Sequence, residues 1–381
     1  MTERHATSIQ QHFGTLEDPR IDRCKRHQLL DIVTIALCAV ICGADDWTEV
    51  AAFGRAKLSW FRTFLTLPNG IPSHDTFGRV FARLDPAQFE TCFLHWISSL
   101  AAVLPGTVIA VDGKEARRSH DQHLGKAAIT MVSAWAADNH LVLGQVAAEA
   151  KSNEITAIPD LLQALALKGC IVTIDAAGCQ TNIAQQIIAQ GGDYVLALKD
   201  NQPTLAADVA LLFQDCHATR PGSYAVDHAQ TIEKGHGRIE TRDCWVIADP
   251  TVLAPLRRSA AWAGLQSVIE VRAERQLADE RTVATRYYLS SLPGKAEQAL
   301  RATRAHWHVE NSLHWVLDMA FREDDSRVRI DYGPENFAIL RRLALNLLKQ
   351  DTSLKIGIKG KRKAAGWDEA YLLHLLAPLL H

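Results

Sequence analysis

TVIAVDG, residues 107–113, is a run of β-branched and apolar residues closed by an acid and a glycine. Pro105 and Gly106 precede it, so the run begins straight after a turn. An uninterrupted apolar stretch bounded by turn residues suits a strand buried on both faces. CIVTIDAAG, residues 170–178, repeats the pattern and again reaches an Asp as it ends. Between the two, AITMVSAWAADNHLVLGQVAAEA (128–150) reads as two strands around an Asp138-Asn139 turn. SNEITAIPDLLQALALKG (152–169) reads as a helix capped by Ser152 or Asn153 and ended by Gly169. TNIAQQIIAQGG (181–192) is then a helix, DYVLALKD (193–200) a strand and NQPTLAADVALLFQDC (201–216) another helix. The order β-β-β-α-β-α-β-α is the ribonuclease H-like order, and it places the first strand beside the fourth.

Upstream, residues 28–104 read as all-helical. DDWTEVAAFGRAKLSWFRTF opens with an Asp cap, PNGIP breaks the chain, and Ser73 caps SHDTFGRVFARL. A short helix after a Gly/Pro turn is a candidate helix-turn-helix reader of DNA, against the plainer alternative of a helical bundle. Downstream, residues 222–290 abandon the alternation and are strand-like throughout. GKAEQALRATRAHWHVENSLHWVLDMAF (294–321) returns to one long helix and PENFAILRRLALNLLKQ is a further one. KIGIKGKRK reads as a basic linker, either phosphate-binding or simply solvated, before an apolar closing helix. The expected organisation is a helical domain over 1–104 with possible DNA-end binding and a ribonuclease H-like core over 105–221. A β-rich insertion follows over 222–292, then core completion over 293–350, then a basic linker and C-terminal helix over 351–381.

The chain has 381 residues and a formal net charge of −2, so a nucleic-acid partner would have to be met by local patches. No CxxC pair occurs among the cysteines, which reads as reduced thiols in a cytoplasmic protein. The N-terminus lacks the apolar core of a signal peptide. LLDIVTIALCAVICGA, bounded by Asp31 and Asp45, is too short to span a membrane and reads as a buried helix.

Asp112 and Asp175 each close an apolar strand, at the edge where α/β sheets place their sites. One such Asp is ordinarily a turn cap; two on neighbouring strands point to chemistry. Paired carboxylates repel unless a cation lies between them, and hard oxygen ligands suit Mg2+ or Mn2+. A third acid is available in HWHVENSLHWVLDMAF (306–321). At roughly 100° per residue, His306, Glu310 and His314 share a stripe flanked by Leu313, Leu317 and Phe321, while His308 falls on the opposite face. The histidines therefore do not converge, and HVENSLH is not the HExxH zinc pattern. Spacing alone leaves Glu310 as either a metal ligand or the partner of Arg301, Arg304 or a histidine. Asp318, Glu323 and Asp324 compete for the third place.

With these acids in place, the chain resembles the DDE transposases of bacterial insertion sequences, most nearly the ISAs-type, H-repeat-associated group. The resemblance covers nearly the whole chain. It is carried by DPRIDRCKRHQLLDIVTIALCAVICGADDW, IPSHDTFGRVF, IAVDGKEAR, TIDAAGCQ, DYVLALKDNQ, KGHGRIETR, HWHVENSLHWVLDMAFREDDSR and ENFAILRRLALNLLK. It implies Asp112, Asp175 and Glu310 as the three catalytic, metal-binding acids and two Mg2+ (or Mn2+) ions. It also implies a ribonuclease H-like α/β core with a β-rich insertion before the third acid. The implied partners are double-stranded DNA, both the element's terminal inverted repeats and target DNA, and a second copy of the chain, with no membrane. Where cut-and-paste relatives carry Tyr, Arg, Glu and Lys around the third acid, Thr303, His306, Glu310 and Leu317 stand here. The phosphate-gripping Arg and Lys are thus absent, which removes the ground for expecting a hairpin intermediate.

The expected reaction is cleavage at the element ends by water, followed by attack of the freed 3′-OH on target DNA. Lys114, Arg117 and Lys199 follow sheet strands and are candidates to meet phosphates, as are His306, Arg301, Arg304 and Arg322. The rival readings are a metal-dependent nuclease of the same fold that does not join ends, an element-derived DNA-binding protein that no longer transposes, and a histidine-based zinc hydrolase.

Overall fold

The computed structural model describes residues 9–100, 104–120, 127–148, 154–219, 222–235, 237–277 and 280–380. The expected caps Ser152 and Asn153 lie outside the described residues, as does His236 of the KGHGRIE segment.

The N-terminal part is helical: α1 (Leu29–Ile41), α2 (Trp47–Ala56), α3 (His74–Arg83) and α4 (Pro86–Leu100). Asp46 caps α2 by accepting from the Glu49 amide, and Ser73 caps α3 by accepting from Thr76. All of α1 except Leu30 is buried, Asp31 and Thr34 included, as its predominantly apolar sequence requires. No described helix is long and apolar enough to cross a membrane.

β1 (Val108–Glu115), β2 (Thr130–Ala136) and β3 (Leu141–Ala148) form an antiparallel meander. α5 (Glu154–Gln163), β4 (Ile171–Ile174), α6 (Thr181–Ala189), β5 (Asp193–Leu198) and α7 (Pro203–Ala218) then alternate. β4 lies parallel to both β1 and β5, giving the ribonuclease H-like order β3-β2-β1-β4-β5. α5 stops six residues short of Gly169; that glycine instead takes a φ of +76° in the turn leading into β4.

The β-rich insertion is built of β6 (Val226–Gly235), β7 (Arg238–Ile247), β8 (Ser267–Leu277) and β9 (Glu280–Ser290). These strands join the core sheet. β9 pairs antiparallel with β5, with Leu196 opposite Leu289, so one nine-stranded sheet runs β3-β2-β1-β4-β5-β9-β8-β7-β6 among the described residues. The insertion thereby covers the backbone edge that β5 would otherwise expose.

The segment read as one long helix is α8 (Ala296–Val309), a π-helical turn (Glu310–His314) and α9 (Trp315–Phe321). α10 (Gly333–Gln350) is buried along most of its length and joins the two ends of the chain. Its Phe337 meets the edge of Trp47, which stacks on Phe81 with ring centroids 4.7 Å apart, and Asn336 donates to the Phe81 and Leu84 carbonyls. KIGIKGKRK does not form a linker: most of it belongs to α11 (Ile358–Trp367), followed by α12 (Glu369–Leu380). Lys361 and Arg362 are buried there because they meet helix-terminal carbonyls. Lys361 donates to the Leu348 and Asp351 carbonyls after α10, and Arg362 to Val40 of α1 and Ala320 of α9. Cations at helix C-termini satisfy carbonyls that have no partner within the helix.

At the other sheet edge, the Asn346 side chain accepts from the Val142 amide and donates to the Val142 carbonyl, both at 2.9 Å. Asn346→Leu keeps the branching of the side chain but adds bulk and strands both backbone groups of Val142. It is expected to lower stability by about 3 kcal/mol, read as a shift of the urea midpoint at an unchanged slope.

Candidate active site

β1 and β4 are parallel neighbours with Val111 opposite Ile174. Asp175 follows the last residue of β4, whereas Asp112 does not close its strand as expected: β1 runs on to Glu115 against β2, with Asp112 opposite Ser133, so the two acids stand level where β4 stops. Strand alternation puts them on the face that carries Ala110 and Thr173. α8 covers that face, with His306 Nδ1 3.2 Å from Thr173 Oγ1. The same helix delivers Glu310 at its C-terminal end, where the π turn begins and Trp315 N–H donates to the Glu310 carbonyl five residues back. One ligand atom each from Asp112, Glu310 and His314 lie within 4.8 Å of one another. Asp112, Asp175 and Glu310 line one cavity of about 520 Å³, whose walls also carry Lys199, Asp200, Arg286, Tyr288, His306 and Trp307. Arg286 sits over the Trp307 ring at 4.5 Å.

Each acid is held differently. Asp112 Oδ1 accepts from the Gly113 amide at 3.0 Å. Asp175 Oδ1 accepts from the Ala177 and Gly178 amides, so one of its oxygens also caps the turn after β4. Glu310 differs from its expected setting. The apolar members of its stripe, Leu313, Leu317 and Phe321, are fully buried, but its own side chain remains 56% exposed at the cavity mouth. Arg301 and Arg304 do not pair with it: Arg301 reaches Asp138 at 2.9 Å, and Arg304 reaches Glu233.

A fourth carboxylate stands here that the sequence reading passed over. β3 runs parallel to β1, so the helix after it starts at the same carboxyl edge, and Glu154 is the first residue of α5. Its Oε1 lies 2.2 Å from where a Cβ on residue 113 would fall, so any larger residue beside Asp112 would displace the Glu154 side chain. The available signal was an acid in the first turn of the helix that follows the third strand of this topology.

Crowding of like charge sets the electrostatics. Burial, with Asp175 and Glu310 close by, pushes the Asp112 carboxyl up to about 7. Burial and Asp175 raise Glu154 as well. Burial, together with Arg342 and Lys114, pushes His314 down to about 4, so its imidazole is neutral at pH 7. Oxygen ligands that repel one another at this range fit a divalent cation, which would restore the charged form of Asp112.

The competing acids are occupied elsewhere. Lys114 is buried, with its ammonium 2.8 Å from Asp318 and from Asp324 and 3.8 Å from Glu323. Glu323 in turn pairs with the fully buried Arg342 at 2.8 Å. Of the remaining cations, Arg117 is 77% exposed at the site's flank, Arg322 lies 3.8 Å from Asp45 and 3.5 Å from Asp325, and Lys199 is on the cavity wall. The three histidines separate: His306 faces Thr173, His314 faces Asp112, and His308 sits near Arg304 and His140.

Two family models match the chain. One described as "Transposase DDE domain" covers residues 103–347, and one described as "DDE_Tnp_1-associated" covers residues 10–97. The "H repeat-associated putative transposase YhhI" of Escherichia coli (strain K12) is 38% identical over 97% of this chain and 97% of its own length. The "Uncharacterized protein in dhlA 3'region" of Xanthobacter autotrophicus is 44% identical over 73% of this chain and 92% of its own. A cryo-EM structure of a piggyBac transposase synaptic complex with hairpin DNA overlays 98% of this chain and 79% of that one. Its TM-score is 0.41 at 9% identity, too loose a likeness to bear on chemistry.

The raised Asp112 carboxyl has a measurable sign. Its folded value of about 7 exceeds the unfolded one, so the metal-free protein loses stability as pH rises from about 4 to about 7. Asp112→Asn is therefore expected to raise the melting temperature of metal-free protein at pH 8 and leave it nearly unchanged at pH 4. The same substitution removes the stabilisation that Mg2+ or Mn2+ gives the wild type, and that stabilisation is larger at pH 8 than at pH 5.5. Differential scanning calorimetry with and without metal reads all three effects.

Proposed function

Because the chain belongs to the transposase DDE domain family and is similar over nearly its whole length to an H repeat-associated relative, we propose that it is a DNA transposase. In this reading it cleaves the ends of its insertion sequence and joins them to target DNA. The observation that carries the reading is the meeting of Asp112, Asp175 and Glu310 at one cavity on the carboxyl edge of a ribonuclease H-like sheet.

Asp112, Asp175 and Glu310 would together hold two Mg2+ or Mn2+ ions. When bound, such ions supply Lewis-acid activation of the attacking oxygen and charge stabilisation on the leaving one. The remaining work is positioning. Water attacks the phosphodiester at an element end, the P–O3′ bond breaks, and a 3′-OH is released. That hydroxyl then attacks a target phosphodiester, forming a new P–O3′ bond as the target strand's own 3′ oxygen departs. Neither step needs a covalent intermediate with the protein.

Lys199 and His306 stand where a scissile strand entering the cavity would pass. Arg117, beside Asp324, Arg322, beside Asp45 and Asp325, and Arg301 and Arg304 on α8 can exchange their carboxylate partners for phosphates. Lys114, enclosed by three acids, serves by holding the segment after α9 against β1. Joining two element ends to one target calls for two copies of the chain in the DNA complex.

Oligonucleotides carrying pre-cleaved element ends test the proposal, since a nuclease of the same fold yields no joined product. Asp112→Ala, Asp175→Ala and Glu310→Ala should each lower cleavage and joining roughly a thousandfold while end binding in a gel shift persists. Full activity in any of the three would reject that residue's place in the site. Arg117→Ala and Arg322→Ala should each reduce the dependence of log affinity on log salt by about one unit.

A further inference from the structure

We infer that His314 is itself a metal ligand through Nδ1, so that Asp112, Glu310 and His314 form a mixed oxygen–nitrogen site that favours Mn2+ over Mg2+. The inference rests on the metal-dependent reading above and adds a nitrogen donor to a set that the family resemblance fills with carboxylates alone.

The geometry has no other ready explanation. His314 Nδ1 lies 3.6 Å from Asp112 Oδ2 and 3.8 Å from Glu310 Oε2. Both distances exceed the roughly 3.2 Å limit of a hydrogen bond to nitrogen. They match the roughly 3–4 Å that separates two ligands held about 2.1 Å from one ion. The side chain is 8% exposed, so water does not account for its orientation. A buried imidazole nitrogen held at this range from two carboxylate oxygens, with a hydrogen bond to neither, is accounted for by a cation among the three. The π-helical turn that begins at Glu310 and ends at His314 sets both ligands from one short segment, and such turns recur at functional sites.

The donor set determines the preference. Mg2+ favours oxygen ligands and keeps its waters, whereas imidazole binds transition ions more readily. Mn2+ accepts both donor types and is paramagnetic, which makes the assignment visible. Electron spin-echo envelope modulation on the full chain, loaded with Mn2+ alone at one equivalent, should show 14N coupling from a histidine. The coupling should disappear in His314→Phe and persist in His306→Phe, a neighbouring histidine outside the triad. Competition titration should show His314→Phe weakening Mn2+ by about tenfold or more and Mg2+ by less.

Mn2+ bound in an Asp112-dependent manner without 14N coupling, or with coupling that survives His314→Phe, would overturn the ligand assignment and leave the proposed chemistry standing. No Mn2+ binding, or binding that survives Asp112→Asn, would overturn both. A wild-type spectrum of bound Mn2+ without 14N coupling overturns the assignment even where a variant fails to fold.

Discussion

Everything at the cavity is measured from the register that sets Val111 of β1 against Ile174 of β4. Because the strands are parallel, the two acids that follow reach the same level together. A slip by one residue would send one carboxylate to the opposite face of the sheet, since side chains alternate. The register is held by a run of fully buried Val, Ile and Ala on both strands. The same topology starts α5 at that edge, which brings Glu154 beside Asp112.

Behind the acids lies a buried charge network that fixes the third wall. Lys114 is two residues beyond Asp112 on β1 and so projects from the same face. Its ammonium holds Asp318 of α9 and Asp324 just beyond, and Glu323 links it to Arg342 of α10. Burial alone would lower the Lys114 pKa; Glu323, Asp318 and Asp324 outweigh it and hold the group above its ordinary value. A buried ion pair adds little net stability over well-packed apolar residues, though removing one member leaves a stranded charge. What this network supplies is placement, since it ties the segment carrying Glu310 and His314 to the strand carrying Asp112.

The strands and their order were legible because each depends on local signals: β-branched runs, turn residues, and an Asp where an apolar run stops, although at Asp112 the apolar run stops and the strand continues to Glu115. The joining of the insertion to the core sheet was not, because the pairing of β5 with β9 links residues some ninety positions apart and leaves no local mark. KIGIKGKRK looked solvated by composition, yet Lys361 and Arg362 find helix-end carbonyls that only the packed structure assembles. Helical spacing set His308 apart from His306 and His314, and His308 indeed lies near Arg304 and His140. It misjudged the setting of Glu310, because an ideal period does not describe a segment that widens into a π turn at that residue. Glu154 was hidden by a step of inference, since its direction follows from the strand directions and not from its own neighbours.

The π turn has a consequence for how this segment can change over evolution. It carries one residue more per turn than the α-helix on either side, so deleting a residue between Val309 and Trp315 would give a regular helix with better local hydrogen bonding. That locally favourable change would rotate the remainder of the segment, carrying Asp318 away from Lys114 and parting the side chains at the two ends of the turn. The length of this stretch is therefore fixed by what its ends must reach, and single-residue indels should be eliminated there while the distant tip joining β8 to β9 drifts in length.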